Sequence, residues 1–358
     1  MTIVLGTRKG LLTLQKNNGE WNVGSTDLPG VPISYAWHDN RNNRTWAAVA
    51  HGHWGTKLYR KNGADWEEVT GPAYPEGEEI RDGVGATLQY IWQLESGGTD
   101  RPNRILAGTI PGGLFISDDG GDTFQLNESL WNHPSRKTHW FGGGYDEAGI
   151  HSIIVDPNDS DHMFIAVSCA GVFETTDGGK TWEVRNKGMD APFLPDPEVE
   201  VGFDPHRMVM VGQHPNVFWQ QNHDGIFRST DSCKNWERVD EKGTGPAYFG
   251  FAIAVDDADP ETAWVVPAHS DEIRASIDGK LQVCRTEDGG KSWTSLTEGL
   301  PRKNCYDLIY RHGLVHSNGT LVLGTTTGNV FVSEDRGESW EQAAGFLPPV
   351  YSVQIVED

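Results

Sequence analysis

The side chains best suited to chemistry in this chain fall where the sequence does not repeat itself. Arg8, His51 and His53, His151, Asn222 with His223, and the run His269, Asp271, Glu272 bring imidazole, carboxylate and guanidinium groups together. Imidazole and carboxylate side by side suit general acid–base catalysis. Cleavage of a glycosidic bond asks for two carboxyl groups flanking it, one of them kept protonated by its surroundings. Glu272 and Asp271 fit those roles, with Glu79, Glu198, Glu200 and Asp204 as further carboxyl partners. His223 and His151 complete the catalytic set. Arg8, His51, His53, Asn222 and His269 are the expected polar contacts to substrate, and Trp140 and Tyr145 offer flat faces for a sugar ring. His51, His151, His223 and His269 also form, with Glu272 as an oxygen ligand, a donor set for a divalent metal. Which cofactor, if any, is used stays open.

The elements that position these residues are set by a repeat. Thr175–Trp182 reads TTDGGKTW, and close copies stand at Ser117–Phe124 (SDDGGDTF), Thr286–Trp293 (TEDGGKSW) and Ser333–Trp340 (SEDRGESW). Ser229–Trp236 (STDSCKNW) keeps the Ser, Asp and Trp but has Cys233 in place of Gly, and two worn copies end at Trp66 and Trp21. The Asp accepts backbone N–H groups and the glycines supply positive φ, so each copy predicts a tight hairpin. The anchoring aromatics at 21, 66, 124, 182, 236, 293 and 340 are spaced by 45, 58, 58, 54, 57 and 47 residues. That period suits one four-stranded blade per copy, hence an all-β, seven-bladed β-propeller as a single domain over residues 1–358. The chain opens at a second strand, Thr2–Gly6, and its last strand, Tyr351–Val356, reads as a first strand. The two predict closure by pairing of the C-terminal strand with the N-terminal blade.

Within a blade the Asp turns share one end with the first-to-second turns, and the second-to-third loops share the opposite end with the inter-blade tracts. Of the 13 His, eight (51, 53, 133, 139, 151, 206, 223 and 269) sort to the end away from the Asp turns. The site is therefore expected there, in a pocket at the mouth of the central channel, and Asp119, Asp177, Asp231, Asp288 and Asp335 are expected to be scaffold.

The pattern Ser/Thr-x-Asp-x-Gly-x-Thr/Ser-Trp/Phe resembles the Asp-box, or BNR repeat, of sialidases, sortilin-type receptors and several glycoside hydrolases. Gly6-Thr7-Arg8-Lys9-Gly10, Asn186-Lys187-Gly188, Leu194-Pro195-Asp196-Pro197, Gln221-Asn222-His223 and Ser270-Asp271-Glu272 resemble the bacterial proteins described as sialidase-like or BNR-repeat glycosyl hydrolases. The resemblance implies hydrolase chemistry on a saccharide. A sialidase proper would also carry an Arg-Ile-Pro element near the start, which this sequence lacks.

Composition narrows the partners. A net charge of −22, from 29 basic and 51 acidic residues, repels phosphate backbones, and no basic patch offsets it, so nucleic acid is not expected. No apolar run approaches membrane-spanning length. Cys169, Cys233, Cys284 and Cys305 lie far apart without a CxxC pair, which reads as reduced thiols and a cytoplasmic protein. The expectation is a glycosyl hydrolase-like enzyme acting on a small polar or saccharide-like molecule. Two alternatives remain at this level: a metal-dependent lyase-type propeller using the His/Glu cluster, and a non-catalytic module that docks a protein partner.

Overall fold

The computed structural model describes residues 1–196, 199–240 and 245–357, so Glu198 lies outside the described residues. The chain is an all-β, seven-bladed β-propeller: seven four-stranded antiparallel sheets carry nearly all of the regular structure, beside one two-stranded hairpin formed by Glu79–Arg81 and Val84–Gly85. The blade over residues 150–184 shows the plan. Ile150–Asp156, Asp159–Val167, Gly171–Thr175 and Glu183–Val184 pair in sequence order, with Ile165 opposite Phe173 and Met163 opposite Thr175. Gly171–Thr175 is buried along its whole length, and its one charged member, Glu174, accepts from Arg185 Nε at 2.5 Å and lies 2.7 Å from His162 Nε2.

Closure occurs where the sequence places it. Thr2–Thr7 pairs on one side with Gly10–Asn17 and on the other with Val350–Val356, setting Ile3 opposite Ile355 and Leu5 opposite Val353. Gly6 is needed at this seam, because a Cβ there would stand 2.4 Å from Ser352 Oγ, which accepts the Ala36 N–H at 3.0 Å.

The chain divides into two compact units. One holds residues 1–36 with 206 onward, and the other holds Trp37–Pro205. Each has its own apolar core: around Trp264, Leu321 and Phe331, and around Ile3, Val322 and Val350, in the first; around Leu106, Ile165 and Phe173 in the second.

The repeated turns are built alike. At Thr175–Trp182, Asp177 Oδ1 accepts the N–H groups of Lys180 and Thr181, each at 2.9 Å, and the Thr175 hydroxyl at 2.8 Å. Its Oδ2 accepts the Thr181 hydroxyl at 2.7 Å. Asp119 repeats the set, Asp288 and Asp335 repeat the two hydroxyl bonds with one backbone N–H each, and at Asp231 the Asn235 amide replaces the hydroxyl at 2.7 Å. Gly178 and Gly179 take φ of +74° and +88°; Ser232 and Cys233 hold +59° and +61° without glycine's freedom. The terminal Trp does more than pack. Trp182 Nε1 donates to Asn127 Oδ1 at 3.0 Å and Trp293 Nε1 to Val239 O at 2.8 Å, so these two turns are tied to the segment that precedes them, while Trp340 Nε1 bonds Gly337 O within its own turn. In the worn copies, the Trp21 and Trp66 indole N–H groups are buried without a partner, and Lys16 and Lys61 lie over their rings.

The hydroxyl and N–H donors hold the Asp119, Asp177 and Asp288 carboxyls well below the usual carboxylate range. At Asp231 and Asp335 burial opposes the shift, and the same donors outweigh it. A carboxyl depressed in the folded state contributes stability above its unfolded pKa of about 4 and loses it as pH falls further. Asp177→Ala should therefore lower the midpoint of urea unfolding at pH 7 more than Lys180→Ala does. Asp177→Asn should show a shallower loss of stability between pH 5 and pH 2 than the parent chain, read from urea titrations at each pH.

Candidate functional site

In the unit that contains both ends of the chain, the loop Asn222–Gly225 joins strands His214–Asn222 and Gly225–Ser229. Its turn is held by Asn222 Oδ1, which accepts the Asp224 N–H at 3.2 Å, while Asn222 Nδ2 donates to Gln220 Oε1 at 2.7 Å. Below it, Arg238 donates to Asp240 at 2.5 Å and to the Asp224 carbonyl, and Asp240 accepts the Ile226 N–H at 3.2 Å. The loop thus rests on a buried ion pair. Asp240 is fully enclosed, and burial pushes its carboxyl up against the pull of Arg238.

This base presents His223. Its Nε2 lies 3.8 Å from Asp271 Oδ2, and its side chain keeps 29% of its surface in solvent. Behind it the buried His206 meets His223 edge-on at 5.7 Å between ring centroids, stacks on Phe251 at 4.6 Å, and has Nδ1 2.6 Å from Gly250 O. Ring nitrogens of His206 and His223 come within 4.8 Å of each other. Phe249 packs edge-on to both imidazoles, and Tyr310 to Phe251. The guanidinium carbons of Arg274 and Arg311 lie 5.6 and 5.7 Å from the Phe251 centroid, bringing two cations to the same ring. The Ala268–Ser276 loop that carries Asp271 and Arg274 is folded on itself: His269 N bonds Ala275 O, Ser270 N bonds Ile273 O, and Arg274 Nε bonds Asp271 O. His269 and Glu272 stand exposed on it. Arg8, also exposed, lies in the same unit and is fixed through its backbone N–H to Pro349 O.

The other unit holds the rest of the predicted set. His151 is fully buried, with Nε2 2.7 Å from Pro205 O and Nδ1 3.0 Å from Ser152 Oγ. Trp92 packs against its ring, and Tyr145 packs against Trp92 at 5.2 Å, so His151 and Tyr145 share one aromatic group. His51 Nδ1 accepts the N–H groups of His53 and Trp54, each at 3.1 Å, and caps its own loop. Trp140 donates from Nε1 to Ser135 Oγ at 3.1 Å and follows a short helix, Arg136–His139. Two resemblance motifs prove to be framework. Asn186 bridges Val172 N and Glu200 O, and the Thr7 hydroxyl donates to Gly10 O.

Sequence reasoning missed Phe249, Phe251, Tyr310 and Arg311 as parts of the site. They come from strands and loops far apart in the chain and belong to no motif; the only signal was an aromatic run, Tyr248-Phe-Gly-Phe251, ahead of a strand.

No protein-family model matches the chain. It is similar to the xyloglucanase Xgh74A of Acetivibrio thermocellus, 23% identical over 74% of this chain and 33% of that protein. It is also similar to the photosystem II assembly lipoprotein Ycf48 of Synechococcus sp. (strain CC9902), 26% identical over 54% of this chain and 49% of that one. The chain thus spans about a third of the length of the first and half of the second. Among solved structures, the GH74 enzyme of Niastella koreensis superimposes with a TM-score of 0.61 at 15% identity, covering 96% of this chain and 52% of that one. These likenesses are those of a propeller distantly related to GH74 xyloglucanases and to Ycf48.

The ion pair under the His223 loop yields a prediction. Removing one member of a buried pair leaves the other unpaired, at a cost of about 3 kcal/mol. Arg238→Ala should lower the unfolding free energy by roughly that amount in urea titrations, and Arg238→Ala with Asp240→Ala should recover part of it.

Proposed function

We propose that this chain is an Asp-box (BNR-repeat), glycosyl hydrolase-like protein that cleaves a small saccharide at the His223–Asp271 site. The observation that carries the proposal is that pair, facing solvent over a floor of Phe249, Phe251 and His206 with Arg274 and Arg311 alongside. His223 moves a proton between the attacking water and the leaving oxygen, and Asp271 orients its imidazole and stabilises its charged form. Glu272 supplies the second carboxyl. Asn222 fixes the loop from beneath, and His269 and Arg8 are the polar substrate contacts in this unit. His51, His53 and Tyr145 are proposed saccharide contacts within their own unit. His151, with both ring nitrogens engaged, acts by fixing backbone. The likeness to xyloglucanases supports a saccharide substrate, and the four buried cysteine thiols, far apart in the sequence, support a reducing, cytoplasmic setting.

A metal-dependent reaction is the second reading, favoured by the approach of His206 and His223 nitrogens. A protein-docking role, as the likeness to an assembly factor suggests, is the third.

The test is turnover of xyloglucan oligosaccharides and of a panel of aryl glycosides. His223→Ala and Asp271→Asn should each reduce turnover about a hundredfold or more with unchanged thermal melting. Full turnover in both would sink the site. Activity lost to chelation and restored by zinc would favour the metal reading, and no turnover by the parent chain on any member of the panel would favour the docking one.

A further inference from the structure

A second site lies in the unit formed by Trp37–Pro205. The hairpin Glu79–Arg81/Val84–Gly85, the turn at Pro111–Gly112 and the short helices Glu128–Trp131 and Arg136–His139 enclose a cleft of about 40 Å3. Its walls include Arg81, Lys137, Trp131, Trp140, Arg136 and Glu147. The cleft is built rather than incidental. Arg136 is buried, lies 3.7 Å over the Trp131 ring, and donates to the carbonyls of Trp131, Ile80 and Glu79, the last two at 2.8 and 3.0 Å. Trp131 Nε1 in turn donates to Glu78 Oε2 at 2.5 Å. Gly112 leaves room for Trp140, since a Cβ there would come within 2.9 Å of that indole.

The charge of this cleft is opposite to that of the molecule. Three cations line it against one carboxylate, in a chain whose net charge is −22. The carboxylate, Glu147, is 9% exposed and accepts from Arg81 at 2.5 Å, while Arg81 itself is 55% exposed. Lys137 pairs with the fully exposed Asp82 at 3.8 Å, a solvated contact of little strength. Arg81 and Lys137 therefore remain accessible to an anion from solvent, and Glu147 holds Arg81 in place while competing for it. The indole of Trp140 and the Pro111 ring supply an apolar wall beside these cations. A volume of about 40 Å3 takes a carboxylate group but leaves a sugar ring at the mouth.

We propose that this cleft binds the carboxylate of a sugar acid, with Arg81 and Lys137 pairing the anion and Trp140 meeting the ring. The proposal does not rest on the His223 chemistry and survives its failure.

Calorimetric titration of the full chain with D-glucuronate, D-glucose and acetate tests it. Glucuronate should bind, glucose should not, and acetate should bind more weakly for want of a ring. Arg81→Gln with Lys137→Gln should weaken glucuronate about tenfold or more, charge-assisted bonds being lost. Glu147→Gln should tighten it severalfold by releasing Arg81, and added salt should weaken it. His223→Ala should leave this binding as it is. Equal binding of glucose and glucuronate, or an unchanged affinity in the double variant, would overturn the proposal. Equal binding of acetate and glucuronate would remove the sugar ring from it.

Discussion

One aspartate carboxylate, set in a hairpin and supplied with hydroxyl and backbone donors, is the interaction on which the rest depends. It lies in a solvent-facing turn, where a single hydrogen bond is worth little, yet both oxygens are engaged and the turn's geometry is over-determined. Where the turn is present it fixes the register in which the third and fourth strands meet, and at Trp182 and Trp293 the indole N–H then reaches a preceding segment. With the strand register set at these turns, the opposite loops need only hold their own backbone. They can vary in length and chemistry, and in the His223 blade they do.

The His223 region shows how such a loop is kept ready without being uniform. Its polar residues divide into those that hold backbone and those that face outward. Asn222, Asp240 and Arg238 belong to the first group; His223, Asp271 and Arg274 belong to the second. The floor between them is aromatic, so a charged group above it sits on a surface of low polarity where electrostatic contacts weaken less than in bulk water.

The architecture was legible because it is written in a repeat. The period of the Trp and Phe anchors, the Asp–Gly turns and the reading of Thr2–Gly6 as a second strand all follow from local chemistry, and strand pairing bears them out. The short helices Glu128–Trp131 and Arg136–His139 were not legible, since four residues cannot show a helical period; Asn127, whose side chain caps the first, was the available sign. Site residues were harder for a different reason. A polar residue in a loop looks the same whether it serves a substrate or a carbonyl, and His151 and Asn222 serve the backbone. Arg311 and Phe251 carry no mark at all until the strands around them are assembled. Glu147 and Arg81, far apart in sequence, show their pairing only in three dimensions.

The seam between Thr2–Thr7 and Val350–Val356 bears on how the chain is made in the cell. Residues 37–205 form one compact unit as an uninterrupted run, complete as soon as they have left the ribosome. The other unit needs two strands that lie far apart in the sequence, Thr2–Thr7 and Val350–Val356. Until Val350–Val356 has been made, the Thr2–Thr7 strand therefore carries an open edge, with apolar Ile3 and Leu5 awaiting partners. The length of that exposure is set by the time taken to synthesise everything between the two strands.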